Sequence, residues 1–363
     1  MVGRKKELTL NRSIVLIPVV AALILMVVWF TTLPDSLVVY CAHDAVYAKE
    51  ILDQFTRETG IPVETRFDTE ATKSLGLINL ILRERQYPRC DVFWNNELLG
   101  MIELQEQGLL EPYQGTGWNR IPEQYRDPQG YWVGFAARMR VILFNSQQVS
   151  ADDETLQTLM TYDPGRLAIA KPIFGTTLTH YTVLWHLWGA DRLKAWHNDL
   201  QLRGLRIVNG NAAVKDVVAM GTCDAGLTDT DDAFVAIDDG YDVEMQPVRL
   251  TEIPANRQQP ANDASGAALK RYTLCIPNTV GIIKGTKRSD AARKLVDYLA
   301  SAETEIALAK AKSRQIPLGP VDAEQLSEEV RKLTDWSREG IDLRSLLPDR
   351  RECLKWLQDE YLK

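Results

Sequence analysis

The sequence lacks the short motifs that identify common catalytic and metal-binding chemistries. It has no GxSxG nucleophile turn, no HExxH zinc motif and no P-loop. Its five cysteines lie far apart and form no CxxC pair, which excludes zinc and thioredoxin-like sites of the usual spacing. It also has no internal repeat and no low-complexity tract. We therefore expect a protein that is not an enzyme, and cysteines that act as small buried hydrophobic residues.

An excess of positive charge is also absent. The 363 residues include 42 Lys and Arg against 49 Asp and Glu, for a net charge of −7. Binding to phosphate backbones requires a basic surface, so we expect no nucleic-acid partner. The length and the 45% hydrophobic content are sufficient for a well-buried core and for more than one domain or lobe.

A hydrophobic run lies near the N-terminus. Residues 14–30 contain no charged residue, follow the basic stretch GRKK and are not followed by a small-residue cleavage site. The run is at the short end of what spans a bilayer, and its basic flank predicts a cytoplasmic N-terminus. We therefore predict a cytoplasmic tip and a transmembrane signal anchor at residues 1–35, with the main domain in the periplasm or outside the cell. The alternative is a cleaved signal peptide.

Predicted strands and helices alternate after this run. Strands are expected at residues 36–42, 61–67 and 90–95, and an amphipathic helix follows each of them. This order is typical of a parallel sheet that is covered on both faces. A second α/β series follows residues 131–146, which we interpret either as two strands or as one strand that crosses between lobes.

The pattern therefore predicts two α/β lobes with a cleft between them. We place the first lobe at residues 36–138 and 273–315, and the second at residues 139–272 and 316–363. Ligands of open α/β sheets bind at the carboxyl ends of the strands. Polar residues concentrate at these predicted ends, and the candidates for ligand binding are His43, Asp44, Glu70, Asn95, Arg138, Thr176, Thr177, His180, Asn209, Asn211, Asp229, Asp231 and Asp232.

Some of these residues have a purely structural alternative. Asp44, Asn211 and Asp231 stand at predicted helix starts, where a side-chain oxygen that caps backbone N–H groups contributes ~1 kcal/mol. The helix start after Gly175 can instead hold an anion through its backbone N–H groups. Capping and ligand binding are both open for these positions.

Several segments resemble the periplasmic solute-binding proteins of ABC importers, specifically the ferric-ion-binding type. The resemblance covers roughly residues 37–320, in family order, and its segments include LVVYCAHDAVYAKEILDQFTRETGIPVETRF, CDVFWNNE, GFAARMRVILFN, AIAKPIFGTTLTH and GNAAVKDVVAMGTCDAGLTDTDDA. It implies a two-lobe periplasmic-binding-protein (type II) clamshell, which closes on a solute and docks on a membrane permease. We expect a monomer without a resident cofactor.

One segment departs from the ferric-binding pattern. Members of that type hold iron with an adjacent tyrosine pair, whereas the matching segment here reads TDTDDAF and contains no tyrosine. Carboxylates also suit hard cations, so Fe³⁺ or another metal stays possible as the transported ligand. The candidate metal ligands are His43, Glu70, His180, Asp229 and Asp231.

The resemblance therefore predicts an extracytoplasmic binding protein of an ABC importer, with iron(III) as the family-level solute. The alternative solute is organic or phosphorylated, such as a sugar phosphate, a phosphonate or a polyamine. It would be held at the helix starts after Gly175 and Gly210, with Arg138 opposite. A tethered sensor domain and a tethered enzyme that uses the cleft carboxylates are the remaining hypotheses.

Overall fold

The computed structural model describes residues 36–68, 75–252 and 270–362. A mixed sheet of ten strands runs through this part of the chain, and a separate pair of strands forms a second sheet. The strands are β1 (Leu37–Cys41), β2 (Val63–Phe67), β3 (Val92–Asn95), β4 (Leu110–Glu111), β5 (Val133–Asn145), β6 (Leu167–Ala170), β7 (Arg206–Val208), β8 (Ala225–Asp229), β9 (Val243–Pro247), β10 (Arg249–Thr251), β11 (Arg271–Thr273) and β12 (Cys275–Ile283).

Helices follow most of the strands. They are α1 (Ala45–Thr59), α2 (Leu75–Arg83), α3 (Leu99–Glu106), α4 (Thr116–Arg120), α5 (Asp153–Tyr162), α6 (Gly175–Trp188), α7 (Ala190–Leu202), α8 (Asn211–Ala219), α9 (Thr230–Asp238), α10 (Ser289–Leu299), α11 (Ala302–Lys310), α12 (Glu328–Ser337) and α13 (Leu347–Tyr361). The alternation of strands and helices expected from the sequence is therefore confirmed.

The large sheet has parallel strands towards both ends and antiparallel strands in its centre. Its order is β2-β1-β3-β12-β5-β8-β6-β7, with β4 paired to β12 and β9 paired to β5. The β1 pairs with β2 and β3 are parallel, as are the β6 pairs with β7 and β8. The pairs of β12 with β3 and β5, and of β5 with β8, are antiparallel. Because β6, β7 and β8 run in the same direction, their carboxyl ends meet at one edge.

The segment with two interpretations forms one strand, β5, which is buried along its whole length. Its first part, Val133 to Met139, pairs with β12, whereas Arg140 to Phe144 pair with β8. One continuous strand thus joins two halves of the sheet. The division into two lobes at residues 138 and 139 stays a prediction.

The helix α1 shows how the sequence pattern produces the packing. Its buried residues are Ala48, Ile51, Leu52 and Phe55, at the spacing that places side chains on one helix face. Complete burial of a side chain such as Phe55 contributes about 1.5–3 kcal/mol. The helix ends at Gly60, whose φ of 70° is strained for other residues.

Two predicted helices have different boundaries in the structure. The sequence pattern predicts one helix over residues 289–311, but the structure has two, because Ser301 caps a new helix by accepting a hydrogen bond from the Thr304 N–H at 3.1 Å. The sequence also predicts that Pro348 interrupts the helical C-terminal segment, whereas Pro348 is part of the last helix. It lies in the first turn of α13, where its missing N–H would have had no partner within the helix.

The predicted transmembrane segment, residues 14–30, lies outside the described residues. Among residues 36–68, 75–252 and 270–362, no helix is both long enough and apolar enough to cross a bilayer. The predicted localisation as a single-pass membrane-anchored protein is corrected on this finding. The five cysteines are all buried and free, in agreement with their predicted role as small hydrophobic residues.

Candidate functional site

A cavity of about 800 Å³ opens beside the carboxyl ends of β6, β7 and β8. Its lining comes from the first turn of α1, from β5, and from the starts of α6, α8 and α9. The polar residues that line it are Asp44, Tyr47, Asn96, Arg138, Lys171, Thr176, Thr177, Asn209, Asn211, Lys215, Asp229, Asp231 and Asp232.

Most of the residues predicted from strand ends line this cavity. They are Asp44, Arg138, Thr176, Thr177, Asn209, Asn211, Asp229, Asp231 and Asp232. His43, Asn95 and His180 are buried and are not among the lining residues. Glu70 lies outside the described residues. The roles of these residues in binding stay predictions.

Asp229, at the end of β8, is held by three protein donors. Arg140 Nη1 lies 2.8 Å from Asp229 Oδ1, and neither side chain is more than 1% exposed. The other carboxylate oxygen, Oδ2, accepts hydrogen bonds from the Thr176 hydroxyl at 2.6 Å and the Asn211 amide at 2.9 Å. The starts of α6 and α8 are thereby connected to the end of β8.

Asp231, in the first turn of α9, is paired with a second buried arginine. Arg138 Nη1 lies 3.2 Å from Asp231 Oδ2, and Asp231 Oδ1 accepts a hydrogen bond from the Asp232 N–H at 3.2 Å. Burial lowers the pKa of Arg138, but the charges of Asp231 and of three other aspartates outweigh it and raise that pKa above its ordinary value. Arg138 therefore stays charged.

The three aspartates of the TDTDD stretch come together in space. One carboxylate oxygen from each of Asp229, Asp231 and Asp232 lies within 4.8 Å of the other two. Oxygen ligands at this separation can converge on a hard cation. Two of the three carboxylates are, however, already neutralised by Arg138 and Arg140.

Of the two histidines predicted as metal ligands, His43 has contacts at both ring nitrogens, and His180 does not line the cavity. His43 Nδ1 lies 3.2 Å from Arg138 Nη2, and His43 Nε2 lies 2.9 Å from the Gln315 amide nitrogen. A metal on either nitrogen would displace one of these contacts. His180 is 3% exposed, and its Nδ1 has no hydrogen-bond partner among the described residues.

The environment of His180 keeps its imidazole neutral at physiological pH. Burial, together with the charge of Arg140, lowers its pKa to about 3. A neutral imidazole can ligate a metal, but this side chain is not part of the cavity surface.

The cavity contains residues that sequence reasoning missed. Tyr47 lies in the first turn of α1, and burial together with the charges of Asp231 and Asp44 raises its pKa. Lys171 directly follows β6, and Lys215 lies one turn after Asn211 in α8. Tyr47 and Lys215 lie in helices, several residues after the strand ends, and no local signal separates them from other polar helix residues. Lys171 could have been found, because it lies at the end of a predicted strand, residues 166–172.

Arg140 was also missed, although the sequence carried a signal for it. Arg138 and Arg140 are two residues apart in β5, and residues at that spacing in a strand point to the same face. Once Arg138 was a candidate, the second arginine on the same face could have been added.

The four helix starts at the cavity, those of α1, α6, α8 and α9, have no side-chain cap. An aspartate precedes α1 and α9, whereas an uncharged residue precedes α6 and α8. Phe174 precedes α6 and Gly210 precedes α8, and neither makes a side-chain hydrogen bond to the first turn. Gly175 has a φ of 50°, and no atom lies within 4 Å of the position that a Cβ would take. Backbone N–H groups at such helix starts bind anions, and a glycine permits close approach. Glu97, in contrast, caps α3 through the N–H groups of Leu99 and Gly100, both at 2.7 Å.

Comparisons with known proteins show the family. Residues 37–311 match the family described as bacterial extracellular solute-binding protein. The chain belongs to this family, whose members are solute-binding proteins and not enzymes.

Named relatives agree with the expected type. The chain is 27% identical to the Fe(3+)-binding periplasmic protein of Serratia marcescens, over 53% of this chain and 56% of that protein. The alignment therefore spans little more than half the length of this relative.

Solved structures show the same fold at low sequence identity. Iron-bound HitA from Pseudomonas aeruginosa has a TM-score of 0.69 and 20% identity, with coverage of 90% of this chain and 99% of that chain. AfuA from Actinobacillus pleuropneumoniae, with fructose-6-phosphate bound, has a TM-score of 0.70 and 18% identity, with coverage of 90% and 98%. The described part of the chain thus has the mixed α/β fold of periplasmic binding proteins.

Proposed function

We propose that this protein is the extracytoplasmic solute-binding component of an ABC importer. It captures one small solute in the cavity, acts as a monomer and delivers the solute to a membrane permease. Family membership and the names of the relatives support this proposal. So does the position of the cavity, because ligands of α/β proteins bind at the carboxyl ends of the strands.

The solute that the geometry favours is a small organic molecule with an anionic group. The observation that carries this proposal is that Asp229 and Asp231 are each paired with a buried arginine. A bare metal ion that used both carboxylates would leave Arg138 and Arg140 buried without their counter-charges, which is costly. The cavity volume of about 800 Å³ also lies within the range of organic ligand sites, roughly 300–1,000 Å³.

The anionic group would sit at the starts of α6 and α8. The uncapped N–H groups there and the ammonium group of Lys171 supply donors and positive charge on one side of the cavity. Lys215 lines the same side and is paired with Asp216 at 2.5 Å. Asp44 and Asp232 line the same cavity from α1 and α9. Carboxylates at that side would accept hydrogen bonds from hydroxyl or ammonium groups of the solute.

Ferric iron is a second candidate, favoured by a different observation. One carboxylate oxygen from each of Asp229, Asp231 and Asp232 lies within 4.8 Å of the other two. A cation could bind between these oxygens if the two arginines moved away. The Serratia relative is named as an Fe(3+)-binding protein.

Thermal-shift and calorimetric titrations of the full chain separate the two candidates. We expect fructose-6-phosphate or inorganic phosphate to raise the melting temperature by mass action, and ferric citrate to raise it no more than sodium citrate does. Lys171→Gln should weaken phosphate-ester binding about tenfold, the loss of one charge-assisted contact. Lys287→Gln, at an exposed position outside the cavity, is the matched control.

The opposite result identifies iron as the solute. A shift with ferric citrate that disappears in Asp231→Ala and survives in Lys171→Gln would exclude the organic assignment. Absence of a shift with every probe, in a folded protein, would argue against both solutes.

A further inference from the structure

A chain of buried polar side chains runs from the cavity into the centre of the sheet. It consists of Asp231, Arg138, His43, Gln315 and Asn278, and we call it the polar chain. Each member is at most 6% exposed. The capture of the solute proposed above uses none of the last three members.

The contacts of the polar chain are continuous. Arg138 contacts Asp231 through Nη1 and His43 Nδ1 through Nη2, both at 3.2 Å. His43 Nε2 lies 2.9 Å from the Gln315 amide nitrogen. The Asn278 amide donates to Gln315 Oε1 at 2.8 Å and also to the backbone carbonyl of Ala136.

The inner end of the polar chain lies where the strands that join the two halves of the sheet are irregular. The register between β5 and β12 shifts between Pro277 and Asn278. Opposite this shift, Ala136 has a φ of 39°, a left-handed conformation that is strained for alanine. Ala137 also forms a bridge to Ile316, next to Gln315. The cavity is thus connected to the place where three chain segments meet.

The His43 ring is held in a fixed orientation. It stacks on Trp94 with centroids 5.4 Å apart and on Tyr47 with centroids 6.0 Å apart. Since a guanidinium group can only donate, Nδ1 must accept the bond from Arg138. In the neutral ring Nε2 then carries the proton, and it forms no hydrogen bond with the Gln315 amide nitrogen, because that nitrogen is also a donor. The ring therefore supplies an acceptor at a fixed place behind an arginine that faces the cavity.

We propose that His43 is a positioning residue for the solute site. Through Nδ1 it orients the Arg138 guanidinium beside Asp231, and its own ring is held by the stacking on Trp94 and Tyr47. The inference rests on the proposed function only in that Arg138 contacts the solute. It replaces the metal-ligand role that the sequence suggested for His43 with a role that acts through another residue.

Two substitutions of His43 separate positioning from packing. Asparagine places an amide oxygen where Nδ1 lies, so His43→Asn can still accept from Arg138. Glutamine places its amide where Nε2 lies, so His43→Gln can reach Gln315 but has no acceptor directed at Arg138. Both variants lose the stacked ring, which makes each the packing control for the other.

Calorimetry with fructose-6-phosphate on the full chain measures the effect. We expect His43→Asn to bind within about threefold of the wild type, and His43→Gln to bind about 10- to 100-fold more weakly, as for one buried hydrogen bond to a charged group. The melting temperature without the probe should fall by similar amounts in both variants. Equal affinities in the two variants would overturn the proposal, because a packing role moves both together.

A second measurement needs no solute. Long-range ¹H–¹⁵N spectra of the four histidines, with His43 assigned by its disappearance in His43→Asn, should show a neutral ring with a bare Nδ1 and a protonated Nε2 at pH 7. A proton on Nδ1 would overturn the proposal. If the probe fails to bind the wild type while the spectra agree, the proposed solute is wrong and the positioning of Arg138 stands.

Discussion

At the scale of single residues, Arg140 and Asp229 form the more deeply buried of the two ion pairs at the site. Replacing Arg140 by methionine would leave the Asp229 carboxylate with only the neutral donors of Thr176 and Asn211. Removing one partner of a fully buried ion pair costs about 3–5 kcal/mol. We expect Arg140→Met to lower the free energy of unfolding in urea by that amount.

The matched control for this substitution is a surface pair. Arg249 and Glu339 lie 2.7 Å apart, with side chains 32% and 55% exposed. Arg249→Met should cost less than about 1 kcal/mol, because solvent screens exposed pairs. A cost for Arg140→Met as small as that of the control would mean that the buried pair is not important for stability.

His180 makes stability depend on pH in a direction that its burial determines. Its pKa is about 3 in the folded protein and 6.5 ordinarily, so between these values the unfolded chain binds a proton that the folded chain does not. The free energy of unfolding therefore falls as the pH falls below 6.5, by about 1.4 kcal/mol per pH unit.

Substitution of His180 by leucine should remove the contribution of this residue to the pH dependence of stability. Between pH 7 and pH 5, the wild type should lose about 2 kcal/mol more stability in urea unfolding than His180→Leu does. An identical pH dependence of wild type and His180→Leu would contradict the assignment.

At the scale of secondary-structure elements, Glu305 holds the irregular part of β5. Its buried carboxylate accepts hydrogen bonds from the N–H groups of Ala136 and Leu318, both at 2.8 Å, and of Gly319 at 3.1 Å. It also pairs with Arg120 at 2.7 Å. One side chain of α11 thus accepts hydrogen bonds from the backbone N–H groups of the strained residue Ala136 and of a neighbouring loop.

Glu305→Gln tests this role with little change in volume. An amide in place of the carboxylate presents N–H groups to a backbone N–H and removes the charge opposite Arg120. We expect a loss of about 2–3 kcal/mol in urea unfolding, typical of an unsatisfied buried polar group. Glu303→Gln, at an exposed position in the same helix, should change stability by less than about 0.5 kcal/mol. Equal effects would refute the role of Glu305.

The elements themselves were largely predictable. Apolar periodicity predicts a helix over residues 44–60, within one residue of α1 at each end, because Gly60 stops the helix and the buried face follows the helical spacing. The split of the helix at Ser301 could have been predicted, since serine is a preferred cap residue and Glu303 and Glu305 follow it in the first turn. The single crossing strand β5 could not be distinguished from two strands, because a long apolar run does not reveal its pairing partners.

At the scale of the whole molecule, the site depends on the sheet order. Arg140 and Asp229 are 89 residues apart in the chain, and His43 and Gln315 are 272 apart. Strands β5 and β8 lie next to each other in the sheet, which brings Arg140 to Asp229. The acidic stretch after β8 therefore faces two arginines that come from a distant part of the sequence.

By itself, the sequence determined the alternating α/β order, the polar strand ends and the absence of the tyrosine pair, because these are properties of neighbouring residues. Only the tertiary structure decided which charges meet. It neutralised Asp229 and Asp231 with Arg140 and Arg138, and it placed His43 behind Arg138, outside the cavity lining. The physical reason is that charges interact through distances in space, and sheet pairing sets these distances without a local signal.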